Sequence, residues 1–258
     1  LNKILNFFGA KAFRQVNNKE IIKIISLFKP FNVGIPLIRI GDNKDGGYLL
    51  PDILHNIKYC FSLGVGTVSS FEKELEKYSI KSFLVDKTVD APGAELKDYS
   101  FDKKLIHSFN QGDKVNVNDW LLSKLDKSDF DKSIIQIDTD GFEYETLIAL
   151  DEKLLSKFNI IVVEFHGLEL IGNEYFNFIL NSVVSKLNLY HTPVHIHPNN
   201  CCGIHKVGSF LTPSVLEATF LNNKLFDEKK PIDHLPNKLD YKNVQKKEEI
   251  FLESYWYK

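Results

Sequence analysis

Three segments in a fixed order constrain this chain most: Phe61-Ser-Leu-Gly-Val-Gly66, Leu84-Val-Asp86 and Gln136-Ile-Asp-Thr-Asp-Gly141. Each is a short apolar run with the length of a buried strand. The first breaks into glycines, the second ends on a carboxylate, and the third empties into an acidic cluster. In an open parallel sheet the strand C-termini line one crevice, and ligands bind there. The order therefore predicts a close-approach loop, a hydroxyl-binding carboxylate and a reactive acidic group around one pocket.

The surrounding pattern alternates. Ile57–Leu63, Ser82–Val85, Leu105–Phe109, Ile134–Ile137 and Ile160–Phe165 read as strands. Ser69–Tyr78, Val117–Leu125, Tyr144–Leu150 and Phe176–Leu187 read as helices between and after them. Such alternation predicts an α/β fold, with a mostly parallel sheet and helices on both faces. Extended runs near Val194–Ile196 and Val207–Leu211 suit an antiparallel edge. Upstream, Leu37–Ile40 and Tyr48–Leu50 bracket Gly41–Gly47 as a hairpin. Ile4, Leu5, Phe7 and Phe8, then Ile21, Ile22, Ile25 and Phe28, recur at helical spacing. The expectation is a single domain: a helical extension over 1–35, a core over 36–215 and an irregular arm over 216–258. The closing Tyr255-Trp-Tyr257 is expected to pack back on the body, and Cys201-Cys202 to pack as well.

Composition excludes several classes. A net charge of −2 argues against a broad nucleic-acid surface. Three cysteines are too few for a disulfide framework. The apolar stretches fall short of a membrane span, and the start of the chain lacks a signal-peptide pattern. A reduced, cytoplasmic setting is the expectation.

The chemistry-bearing residues each have a bland alternative. Gly64 and Gly66 suit close backbone approach to a cofactor, or an ordinary tight turn. Asp86 suits a pair of ribose hydroxyls, or a solvated strand end. Ser69 stands where a dinucleotide fingerprint wants its third glycine, which weakens a nicotinamide reading. Asp138 and Glu164 end neighbouring strands and together suit a divalent cation or a catalytic base. Glu143 and Glu145, on the first turn of the following helix, need do no more than oppose its dipole. His195 and His197 flank Ile196, so both imidazoles face one side of a strand. That spacing serves a metal, or two histidines hydrogen-bonded at a strand edge.

Taken together, five segments resemble the FkbM-type S-adenosylmethionine-dependent methyltransferases, within the Rossmann-like class I methyltransferases. They are Arg39-Ile-Gly-Asp-Asn-Lys-Asp-Gly-Gly-Tyr48, Phe61–Glu72, Gln136–Tyr144, Val162-Val-Glu-Phe-His166 and Val194-His-Ile-His-Pro-Asn-Asn200. The likeness spans roughly 36–215. Asp140-Gly141 replaces the family's usual Glu-Gly, and Gln136 its common Lys. The resemblance implies O-methylation, often of sugars or natural products. It implies S-adenosyl-L-methionine held by Gly64, Gly66 and Asp86, with Asp113 near the adenine. Arg39 with Gly46 and Gly47 is expected around the methionine end. Two routes to an activated hydroxyl are expected: a divalent ion (Mg or Mn) on Asp138, Glu164 and His166, with His195 or His197 taking the proton, or metal-free base catalysis by a histidine. The acceptor is expected to be a small-molecule or nucleotide-linked sugar. A nicotinamide oxidoreductase, a metallohydrolase and a non-catalytic glycan-binding module are the rivals.

Overall fold

The structure is a computed structural model and describes residues 14–258. The expected helical segment around Ile4–Phe8 lies outside the described residues. The second half of that extension is a helix, Asn18–Leu27, started by a capping box between Asn17 and Glu20. Its apolar stripe, Ile21, Ile24 and Ile25, is buried.

Thirteen strands follow. β1 (Phe31–Asn32) pairs with the last of them, β13 (Lys230–Pro231). β2 (Leu37–Ile40) and β3 (Tyr48–Pro51) form the expected hairpin. Then come β4 (Tyr59–Leu63), β5 (Lys81–Val85), β6 (Tyr99–Asp102), β7 (Leu105–His107) and β8 (Lys114–Asn116). β9 (Ser133–Ile137), β10 (Ile160–His166), β11 (His191–Val207) and β12 (Phe210–Asn222) complete the set. The central sheet has seven strands in the order β11-β12-β10-β9-β4-β5-β6. The five from β10 to β6 run parallel, and the β11–β12 hairpin adds the antiparallel edge. The chain starts at β4, winds outward to β6, then returns to β9, so the switch point lies between β4 and β9. This is a Rossmann-like, doubly wound α/β architecture with helices on both faces and an antiparallel edge, as the sequence predicts.

Alternation along the inner strands supplies both layers of core. Phe61, Leu63, Ile135 and Ile137 pack on one face with the helices Asn18–Leu27, Val117–Lys124, Glu143–Ala149 and Glu174–Asn188. Cys60, Ile134, Ile160 and Val162 pack on the other, under the β2–β3 hairpin and the helix Ser70–Leu75. Phe61 stacks on Phe130 with ring centroids 5.4 Å apart.

Three expectations change. The third parallel strand is Tyr99–Asp102; Leu105–His107 instead pairs with Lys114–Asn116 outside the central sheet. Tyr99–Asp102 is only partly buried at the sheet edge, so no apolar run announces it. The boundary at 215/216 falls inside β12, and the arm starts after Asn222. Cys202 is exposed rather than packed. Trp256 does pack back, fully buried, with its ring 6.2 Å from Phe28. Among the described residues no helix is long and apolar enough to cross a membrane.

Candidate active site

At the switch point a cavity of about 390 Å³ opens over the ends of β4, β5 and β9. Gly64, Gly66, Asp86 and Asp138 all line it, as the sequence predicts, together with Gly46. Gly64 has φ +82°, and a Cβ there would lie 1.7 Å from the carbonyl oxygen of Asp138. The strand ends meet too closely for any side chain. Gly64→Ala is therefore expected to cost roughly 3 kcal/mol or more, from backbone strain and overpacking. Chemical denaturation checks this; an unchanged midpoint would refute the close approach.

Asp86 organises the glycine loop. Its Oδ2 accepts the backbone N–H groups of Val65 (2.9 Å) and Gly66 (2.8 Å). Its Oδ1 accepts the N–H and the hydroxyl of Thr88, both at 2.6 Å. Although burial opposes its charge, the Thr88 hydroxyl and these three backbone donors hold Asp86 below the ordinary carboxylate range. Four donors fill its lone pairs. A ribose hydroxyl would be accepted when the rotatable Thr88 hydroxyl turns away.

Three expected cofactor contacts, Arg39, Gly47 and Asp113, sit elsewhere. The Arg39 guanidinium donates to the backbone carbonyls of Asp42 (2.9 Å), Lys44 (3.1 Å) and Leu239 (3.4 Å), and lies over the Tyr241 ring. It fastens the Gly41–Gly47 loop to the arm and does not line the cavity. Gly47 belongs to that fastening, since a Cβ there would lie 2.0 Å from the Asp42 carbonyl oxygen. Asp113 is exposed and pairs with Lys87 at 2.5 Å; Lys87 lines the cavity and Asp113 does not. Its assignment rested on the displaced third strand.

The metal triad expected from sequence is divided between two neighbouring sets of acids, Asp138 and His166 in one and Glu164 in the other. His166 Nε2 lies 3.9 Å from Glu164 and 3.8 Å from Asp140. Asp138, Asp140 and His166 offer ligand atoms within 4.8 Å of one another. Burial, joined by Asp45 and Asp140 and opposed by His166, pushes Asp138 up to about 7. Burial and the neighbouring Asp138, Glu217 and Asp45 also raise Glu164 well above the ordinary carboxylate range. Burial opposes a charge on His166, yet Glu143, Asp138 and Asp140 hold its imidazole above the usual range.

Sequence reading missed the rest of this cluster. Glu217 sits at the centre of a row across three strands, opposite Glu164 on β10 and His197 on β11. It is fully buried, pushed up to about 7 by burial, with His197 and Asn243 opposing. Asp45, Glu164 and Glu217 form a second set of oxygens within 4.8 Å. Asn199 donates to Glu164 at 2.9 Å, and Asn243 donates to Glu217 at 2.5 Å. The available signal was a lone acid inside the apolar run Val215-Leu-Glu-Ala-Thr-Phe220. Glu143, read as a helix-dipole residue, is fully buried and accepts the N–H groups of Gly141 and His166, each at 2.8 Å. It ties the end of β9 to the end of β10.

His195 and His197 do share a side, but they face the arm. His195 Nε2 lies 3.0 Å from Asp240 Oδ1, and His197 Nδ1 lies 3.7 Å from Asp240 Oδ2. Neither lines the cavity. Burial opposes the charge on Asp240, but the two imidazoles pull its carboxyl far below the ordinary range.

The donor sets fit the two expected groups. A glycine cradle with a carboxylate behind it suits S-adenosylmethionine, and clustered carboxylates with one imidazole suit a hard divalent ion. Comparison with known proteins gives the same direction. No curated protein matches the chain. A solved structure described as N-methyltransferase NodS from Bradyrhizobium japonicum WM9 superposes with a TM-score of 0.36 at 9% identity, covering 79% of this chain and 94% of that one. That likeness is too distant to carry an argument. The profile described as "Methyltransferase FkbM domain" matches residues 52–189, more than half the chain. The nicotinamide and metallohydrolase readings give way to it: the chain belongs to the FkbM family of S-adenosylmethionine-dependent methyltransferases.

Proposed function

We propose that the chain transfers a methyl group to a hydroxyl of a sugar or glycan precursor. The carrying observation is Asp138, half-buried on the cavity wall, with the buried Glu164 and His166 clustered behind it. A sugar hydroxyl is a poor nucleophile at neutral pH and needs a base at hydrogen-bond reach. Asp138, pushed up to about 7, is tuned for that role. The O-methyl reading also rests on the sequence resemblance.

S-adenosylmethionine supplies an electrophilic methyl on a sulfonium. The Gly64–Gly66 backbone and Asp86 hold the nucleoside end beside the crevice. Alignment of the acceptor oxygen with the methyl carbon is then the main lever, because transfer is an in-line displacement. Asp138 accepts the proton as the oxygen attacks, and Glu164 and His166 hold its carboxylate in place. Asp138, Asp140, Glu164 and His166 would hold a Mg or Mn ion, whose chemistry is to lower the hydroxyl's pKa.

Calorimetric titration with S-adenosylhomocysteine tests the donor site. Asp86→Ala is expected to weaken binding about 10- to 100-fold, the loss of one or two hydrogen bonds to a charged group. An unchanged affinity would remove Asp86 from the site. Retained ligand binding with no methyl transfer to any hydroxylated acceptor would favour the non-catalytic glycan-binding reading.

A further inference from the structure

Next to the cavity runs a second, larger concavity of about 790 Å³, between the helices Glu143–Ala149 and Glu174–Asn188. Its walls are apolar: Tyr144, Ile148, Leu170, Phe176 and Ile179. Ile148 and Leu170 are half exposed, and Tyr175 and Phe178 stand open to solvent nearby. Apolar side chains gathered along a groove beside a reaction centre mark a binding surface more than scattered surface residues do.

What covers the groove follows from its continuity with the reacting centre. One turn, Asp140-Gly141-Phe142, divides the two spaces: Asp140 and Phe142 line the cavity, and Gly141 lines the groove. His166 lines the groove, while its Nε2 lies 3.8 Å from Asp140 and 3.9 Å from Glu164. A molecule with its hydroxyl at Asp138 can therefore run past His166 into the groove. Among the described residues, the groove's polar lining is Ser108, Glu145 and His166. Ser108 donates its hydroxyl to Glu145 at 2.5 Å, and His107 lies 2.6 Å from the same carboxylate. Beyond His166 the groove offers little for a second sugar ring to hydrogen-bond and much for hydrocarbon to bury.

We infer that the acceptor is an amphiphile, a hydroxylated sugar-like head at Asp138 joined to an apolar body lying along Ile148, Leu170 and Ile179. The inference rests on the methyl-transfer reading for the head and on the groove alone for the tail.

The test uses the full chain saturated with S-adenosylhomocysteine. Methyl and n-octyl glycosides of the same hexose, in matched pairs over several hexoses, are titrated below the octyl compounds' micellar concentration. The octyl member is expected to bind roughly tenfold tighter or more, since each buried methylene adds up to about 0.8 kcal/mol. Ile148→Asp and Leu170→Asp should each remove that preference while leaving affinity for S-adenosylhomocysteine unchanged, which also shows that the variants fold. No binding of any octyl glycoside overturns the inference. So does an octyl preference untouched by either variant, or a change confined to oligomeric state. Loss of S-adenosylhomocysteine binding in the unaltered chain would sink the methyl-transfer reading instead, and the groove-dependent octyl preference would stand apart from it.

Discussion

Asp138→Asn is expected to cut methyl transfer about 10²- to 10⁴-fold in kcat, the usual worth of a positioned base, and to make the protein more stable at pH 8. Both effects come from one fact. Asp138 is half-buried near the buried Glu164, and desolvation with neighbouring acids pushes Asp138 from an ordinary value of 3.8 up to about 7. The folded state thus keeps a proton that the unfolded state releases. Stability contributed by this group falls as pH rises from about 4 to about 7, and the cost is complete above that. The amide carries no charge, so the variant's advantage in Tm should be small near pH 4 and grow to pH 8. In the unaltered chain, kcat should rise with pH and level off above about 7, as the pair loses its proton; the steps belong to the pair and not to one residue. Added Mg or Mn should raise Tm of the unaltered chain at pH 8 and leave Asp138→Asn nearly unmoved. A variant less stable than its parent at pH 8 would contradict the account, and full activity after exhaustive chelation would remove the metal.

Asp240→Asn should be the most destabilising single change in the arm. The carboxylate is buried against His195 and His197, and removing one partner of a buried charged group costs about 3–5 kcal/mol. For a chain of this size that is a fall in Tm of roughly 6–20 °C. The pH dependence has a definite sign. Asp240 is depressed, so its contribution is present above an ordinary value of 3.8 and lost as pH falls through its lowered value. His197 is raised: burial opposes its charge, but Asp240, Glu217 and Glu249 favour it. Its contribution is complete below 6.5 and lost as pH rises through the raised value. The gap between parent and variant should be widest between about pH 4 and 6.5 and narrow in mild alkali. Thermal melts across that range check it, with S-adenosylhomocysteine affinity at low temperature reporting on the donor site. A flat, small difference would mean that the arm is not held by this contact.

These contacts also explain how much was legible beforehand. Gly64, Asp86, Asp138 and Glu164 were readable because each terminates an apolar run, and a strand's end fixes its place in a parallel sheet. Asp113 was misplaced because Tyr99–Asp102, an edge strand, carries too little apolar surface to be seen. Arg39 was given a ligand when its donors serve the carbonyls of Asp42, Lys44 and Leu239. A guanidinium beside a glycine-rich loop looks the same in sequence whether it binds a carboxylate or its own backbone.

By itself the sequence determined the alternation of strands and helices, the glycine loop at the crevice and the family. Those follow from local periodicity and from steric demands that a single residue either meets or fails. Only the tertiary structure decided which acids meet. Glu217 reaches Glu164 through the antiparallel register of β12 on β10, and a slip of one residue would turn it to the opposite face. Asp45 and Asp240 come from a hairpin turn and the arm, far apart in the chain. Asp138, Glu164 and Glu217 hold their protons more tightly only because folding takes them out of water together, and Asp240 loses its own more readily only because folding sets it against two imidazoles.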